Sequence, residues 1–162
     1  MQHPKIKFTC TLRKATLDDS EVLKSLWHKL DVSLPETPFI ANMDYRQEFH
    51  EALAEQIESN KATLTLVAAV NELIVGCVCG YVYEKPEAIN TPVGLIHNLW
   101  VEPEYRRKGV ATQLVQSIEA DLINSGAKSF QVAWRHTDDA RRFWQKMGFI
   151  AYEAVSAKTV NN

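Results

Sequence analysis

Three adjacent cations, Arg106-Arg107-Lys108, run directly into Gly109, between an apolar stretch that ends at Val101 and an amphipathic one that begins at Val110. Those residue types at that spacing suit the binding of a phosphate or pyrophosphate. Pro103 stops the preceding strand because it has no N–H for a ladder, and Gly109 lets the backbone swing into a helix without a Cβ in the way. A helix opening there turns its first unpaired N–H groups, and the positive end of its dipole, toward the loop. The bland alternative is a solvated strand-to-helix turn with a basic run. His97, on the strand ahead of the loop, has an intrinsic pKa of about 6.5, which suits proton transfer near neutrality. It can equally be a hydrogen-bonded core residue. Cys77-x-Cys79 has no second Cys or His pair at ligand spacing, so these two thiols are expected to be small core side chains on one strand face. Neither G-x-x-x-x-G-K-[ST] nor G-x-G-x-x-G after a strand occurs, which argues against a P-loop NTPase and a Rossmann dehydrogenase.

Elements must hold these residues in place, and the pattern supplies them. With 162 residues, 46% of them hydrophobic and 23% charged, the chain reads as one globular domain over 1–162. A formal charge of −2 gives no global attraction to nucleic acid or anionic membrane. An odd set of three cysteines and a polar N-terminus point to a reducing cytoplasm. The pattern predicts a strand over 8–15, then a helix capped by Thr16 or Asp18 that carries Val22, Leu23, Leu26, Trp27 and Leu30. After an irregular connection comes a helix over about 44–59 with Phe49, Ala52, Leu53 and Ile57 on one face. Strands over 63–70 and 73–84 flank Asn71-Glu72, a hairpin turn without the usual glycine. A strand over 94–101 leads to the basic loop. The helix beyond it carries Ala111, Leu114, Val115, Ile118 and Leu122 and stops at Asn124-Ser-Gly126. Next come a strand over 128–135, a helix capped at Thr137-Asp138-Asp139, and a last strand from Phe149. The fold class is α/β, an α+β mixed sheet with about four helices on its faces and a right-handed β-α-β crossover around the loop.

Arg106-x-x-Gly109-x-Ala111 after a strand ending Val-x-Pro, and the closing Ala140-x-x-Phe143-Trp144-x-x-Met147-Gly148-Phe149, resemble two separated motifs of the GNAT superfamily of acetyl-CoA-dependent N-acetyltransferases, in the right order. The resemblance spans nearly the whole chain. It implies acetyl-CoA, as acyl donor, in a V-shaped opening between the strands over 94–101 and 128–135. Leu99, Trp100 and Val101 would meet its pantetheine arm, the first and last through main-chain groups. Arg106, Arg107, Lys108, Gly109, Val110 and Ala111 would hold the pyrophosphate, with Thr137 and Phe143 completing the site. The implied reaction is direct attack of a primary amine on the thioester in a ternary complex, with no metal. His97 stands where some family members carry an acidic base, and Trp144 stands where the family usually places a tyrosine acid. An indole N–H donates a hydrogen bond but does not ionise in the accessible range. Tyr105, Tyr152 and His136 are replacement donors that cannot be ranked from sequence, and Thr137 replaces a common Asn.

The resemblance implies a small-molecule or peptide amine as acceptor. Asp31, Glu36, Asp44, Glu84 and Glu87 could draw a cationic one, but acids at this density are usually solvated, and Trp27, Phe39 and Tyr45 are more readily core than pocket. The rival function is a non-catalytic acyl-CoA sensor or interaction domain that kept the loop and lost the acid at 144. The edge of the short last strand leaves a homodimer open to this chain.

Overall fold

A computed structural model of the chain describes residues 8–33, 43–59, 63–134 and 137–152. Its elements are β1 (Thr11–Lys14), α1 (Ser20–Val32), α2 (Met43–Ser59), β2 (Thr63–Val70), β3 (Leu73–Tyr83), β4 (Val93–Val101), α3 (Val110–Asn124), β5 (Ser129–Val132) and α4 (Asp138–Lys146). The five strands form one mixed sheet in sequence order. Every neighbouring pair is antiparallel except β4 and β5, which run parallel, as the α3 crossover between them requires. The β2–β3 turn is tight because Asn71 and Glu72 both take left-handed backbone angles, φ 49° and 68°, the type I′ geometry that matches strand twist even without a glycine.

Two apolar layers cover the sheet. On one face Leu114, Val115, Ile118 and Leu122 of α3 pack with Leu66, Val78 and Ile96, and Trp144 of α4 joins them. On the other, Leu23, Leu26 and Trp27 of α1 and Leu53 of α2 pack on Val67, Ile74, Cys77, Cys79 and Trp100. The stripe expected on α3 is therefore real, with Val110 taking the fully buried place and Ala111 partly exposed. α3 sits close to the sheet because glycines lie beneath it. A Cβ at Gly80 would come 3.1 Å from Leu95 O and 3.2 Å from both Ile118 Cγ1 and Leu122 Cδ1, and one at Gly76 would come 2.9 Å from Trp100 O.

Two expectations are corrected. The buried face of α2 is His50, Leu53 and Ala54 with Ile57 partly covered, whereas Phe49 and Ala52 are exposed. His50 is inside because Asp31 of α1 meets it, Nε2 to Oδ2 3.3 Å apart, so a polar pair takes the place assigned to Phe49. Phe149–Tyr152 do not form a strand. There Gly148 takes φ 91° and donates to Gln145 O while Phe149 N donates to Trp144 O, a Schellman stop that turns the chain away from α4. At the entry to α1, Thr16 is the cap and Asp18 is not: Thr16 caps a 3-10 turn, Leu17–Asp19, that leads into the helix, and buried Asp19 closes the capping box, accepting from Thr16 N at 2.7 Å and from both guanidinium nitrogens of Arg13 at 2.7 and 2.9 Å.

The Arg13 hydrogen bonds are the main cause that holds the Asp19 carboxyl down at about 2, against the usual 3.8. A carboxylate with a depressed folded pKa contributes stability above its unfolded pKa, and that contribution is lost as pH falls from about 4 toward 2. Because Arg13 is partly solvated, the contribution is on the order of 1–2 kcal/mol. Asp19→Asn should lower stability by that amount at pH 7 in urea denaturation and should flatten the fall between pH 4 and 2. A variant as stable as the parent at pH 7 would show that the bonds add nothing.

Candidate active site

The site forms where β4 and β5 part. Their pairing runs Val93↔Ser129, Gly94↔Phe130, Leu95↔Gln131 and Ile96↔Val132 and stops there, so among the described residues His97 to Val101 have no strand beside them on that edge. Glu102 N donates to Val75 O of β3 at 2.8 Å, and strand amides alternate in direction, so the main-chain groups of Leu99 and Val101 face the vacated side. The break coincides with a bulge. Cys79 lies opposite His97 and Cys77 opposite Trp100, so β4 spends one extra residue, and Asn98 takes φ 52°. The sequence carries a trace of this: the core positions Ile96, Leu99 and Val101 are spaced three and two apart, where an unbroken strand would keep two throughout.

Below the opening, β4 runs into a short 3-10 turn, Pro103–Tyr105, and then into the head of α3. Arg107 (φ 61°) and Gly109 (φ 84°) are both left-handed, which turns successive amides to one side as in an anion nest. Among the described residues nothing accepts from the amides of Arg107 through Thr112, whereas Gln113 N donates to Gly109 O at 3.0 Å and starts the helical ladder. Six consecutive free donors at the positive end of a 15-residue helix make a strong seat for an anion.

The three basic side chains differ in use. Arg106 turns inward: its Nε donates to Val101 O at 2.8 Å and its guanidinium lies 4.6 Å from the Trp100 ring centroid. Trp100 Nε1 in turn donates to Glu102 Oε2 at 3.4 Å, and Lys29 of α1 pairs with the other Glu102 oxygen. This chain of contacts fastens the loop to strand and helix. Lys108 lies 5.3 Å from the ring centroids of both Phe8 and Tyr105. All three are exposed, but only Arg107 makes no side-chain hydrogen bond or ring contact among the described residues, so it is the cation best able to reach a ligand.

An open groove connects the loop to the parting strands and continues past them to α1 and α2. On its far wall stand His97, Tyr81, Leu95, Leu30, Asp31 and Phe49. His97 packs edge-on to Tyr81, ring centroids 5.7 Å apart, and its Nε2 is buried without a hydrogen-bond partner among the described residues. Burial lowers its pKa below the usual 6.5, against a smaller opposing effect of the Asn98 side chain, so the ring is neutral at pH 7. On the near wall, Thr137 Oγ1 accepts from Ala140 N at 3.2 Å and caps α4, and Phe143 meets Trp144 edge-on at 5.0 Å. Trp144 is 5% exposed and also packs on Phe149 at 5.2 Å; among the described residues no group accepts from its indole N–H.

Of the replacement donors, Tyr105 lines the groove beside the loop, and the Tyr152 hydroxyl is occupied by Gln131 Nε2 at 2.7 Å. His136, Glu36 and Phe39 lie outside the described residues, as do the side chains of Asp44 and Tyr45. Trp27 is wholly buried core, whereas Asp31, 4% exposed, is not the solvated acid that its surroundings in the sequence suggest. Glu84 and Glu87 are exposed. Burial raises the thiol pKa of Cys77 and carries that of Cys79 to about 12, so both stay protonated and unreactive. Among the described residues no three His, Cys, Asp or Glu side chains gather as metal ligands, and no helix is long and apolar enough to cross a membrane.

The family model described as "Acetyltransferase (GNAT) family" matches residues 24–149, from within α1 through the stop of α4. The chain belongs to that family. A Pectobacterium atrosepticum acetyltransferase is 28% identical over 123 residues, which cover 76% of this chain and 74% of that protein. Among solved structures, a predicted acetyltransferase from Clostridium acetobutylicum with acetyl-CoA superposes with a TM-score of 0.76 at 18% identity, covering 93% of this chain and 96% of the other. The aminoglycoside N-acetyltransferase AAC(6')-Iy in complex with CoA gives 0.74 at 18% identity, covering 95% and 96%. At such identity the two structures attest the fold, which this GNAT acetyltransferase shares along nearly its full length.

Proposed function

We propose that the protein transfers the acetyl group of acetyl-CoA to a primary amine of a small molecule or peptide, by direct attack in a ternary complex. The observation that carries this reading is the run of six amides, Arg107 to Thr112, without a partner among the described residues, at the foot of the opening between β4 and β5. Those amides, with Arg107 and the dipole of α3, are suited to the CoA pyrophosphate. The outward main-chain groups of Leu99 and the amide of Val101, whose carbonyl already accepts from Arg106 Nε, would receive the pantetheine arm, which pairs as a strand would. Thr137 and Phe143 would close the near side. Membership in the family and the acetyl-CoA and CoA held by structural neighbours support the donor.

His97 is assigned as the base. Its ring is neutral at pH 7, and Nε2 has no competing partner, so it can take the proton that the amine sheds as the N–C bond forms. Trp144 can at most donate a hydrogen bond to the departing thiolate. A thiol with a pKa of about 8.5 leaves tolerably without an acid, and holding amine and thioester together supplies up to roughly 7–11 kcal/mol of the barrier.

The test is acetyl-CoA turnover followed by release of CoA thiol, against polyamines, aminoglycosides, amino acids and short peptides, beside a CoA titration. Amine-dependent thiol release is expected. CoA binding with no release for any amine would leave only an acyl-CoA-binding domain, and absence of CoA binding would remove the reading of the loop itself.

A further inference from the structure

Two neighbouring side chains in the opening each bury a polar atom that no group among the described residues satisfies: His97 Nε2 and Asn98 Nδ2. A buried donor or acceptor left without a partner forfeits its hydration with no return, and folded chains leave few of them. Asn98 also holds a left-handed backbone, φ 52°, at the extra residue of the β4 bulge, where a non-glycine residue is strained. Both lie immediately beyond Ile96↔Val132, the last rung between β4 and β5, and both line the groove. Strain and two orphaned atoms thus converge on the single point where the strands part. A molecule entering between the strands would meet them first, and it is the natural partner for both.

We infer that the Asn98 carboxamide is part of the acyl-transfer machinery, with its Nδ2–H donating to the carbonyl oxygen of the bound thioester as negative charge builds there. This rests on the acetyl-transfer reading above. As the amine attacks, the N–C bond forms and the carbonyl electron pair moves to oxygen. The pair then returns, the C–S bond breaks, sulfur leaves as thiolate, and the amine proton passes to His97. An amide side chain suits the oxygen because it donates a hydrogen bond without giving up the proton. The Asn98 main chain is pinned, its carbonyl accepting from Cys77 Sγ at 3.7 Å, while χ2 of an asparagine turns easily. The donor can therefore swing to the substrate while the bulge stays in place. The carboxamide also favours the charged imidazole of His97, so the two side chains act as a pair.

Asn98→Gly separates the side chain from the backbone, because glycine accepts the left-handed angle without strain. If the carboxamide acts on the thioester, this variant loses roughly 100-fold or more in kcat. It should keep a Kd for CoA within about twofold of the parent by calorimetric titration, and a melting temperature no lower. The acid limb of its kcat–pH profile should move to lower pH, since the support that Asn98 lends to protonated His97 is gone. An Asn98→Gly protein with parental kcat would overturn the inference and leave the bulge as a matter of backbone shape alone. A loss confined to the Kd for CoA would overturn it equally. If the unmutated protein released no thiol with any amine, the transferase reading would fall and this inference with it, before any variant was made.

Discussion

Gly109→Pro is expected to lower the affinity for CoA by at least roughly 100-fold, about 2.7 kcal/mol. Proline fixes φ near −65°, whereas the chain at 109 needs φ 84°, and proline also disfavours the helical region for Lys108 before it. The change deletes one of the six free amides outright and swings the others away from a common centre. Gly109→Ala makes a useful companion. A Cβ there would meet only Gln113 Nε2, at 3.8 Å, so alanine brings strain without collision. Its cost is about 1–2 kcal/mol of left-handed backbone, partly shared with the unliganded protein, and the expected loss is no more than roughly tenfold. Calorimetric titration with CoA reads both, and thermal melting checks that each variant is folded. A folded Gly109→Pro protein that bound CoA like the parent would show that the pyrophosphate is held elsewhere.

The second large effect is His97→Ala, for which kcat should fall by roughly 100- to 10,000-fold while the KM for acetyl-CoA moves little. The ring lies on the wall toward α1 and α2, away from the loop, so its loss leaves the anion seat intact. The pH dependence gives an independent reading. A base works only when deprotonated, and burial depresses this imidazole below 6.5, so the parental rate should fall as pH drops through that lower value and show no His97 limb above neutrality. His97→Ala should lack the acid limb. Full activity in the variant, or an unchanged limb, would move the base to another group or to water.

Much of the site was legible from residue types. Arg106-x-x-Gly109 located the head of α3 because glycine and proline constrain the backbone directly, and the α3 stripe followed from apolar spacing alone. Legibility ended where partners decide. Nothing in three adjacent cations reveals that Arg106 turns back to Val101 O and Trp100 while Arg107 stays outside; the loop path does that. Apolar periodicity misread α2 for a related reason. His50 is interior only because Asp31 arrives from another helix, and a pattern that counts hydrophobicity passes over a buried polar pair. The bulge at Asn98 left only a slipped spacing, and the stop at Gly148 looks the same in sequence whether a strand follows or a turn. Trp144, flagged as a departure in a catalytic position, stands among Phe143 and Phe149 as a packed aromatic residue, a role that its type allowed but its motif obscured.

The glycines beneath α3 bear on how such a chain can drift over generations. Alanine at 80 would press on Ile118 and Leu122 as well as on the Leu95 carbonyl, so it is accommodated only if the helix residues shorten or α3 lifts. Lifting α3 displaces its first turn, which carries the proposed anion seat. Positions 80, 118 and 122 are therefore free to vary only as a set, and inheritance of the loop depends on small residues in the middle of the sheet, away from the loop itself.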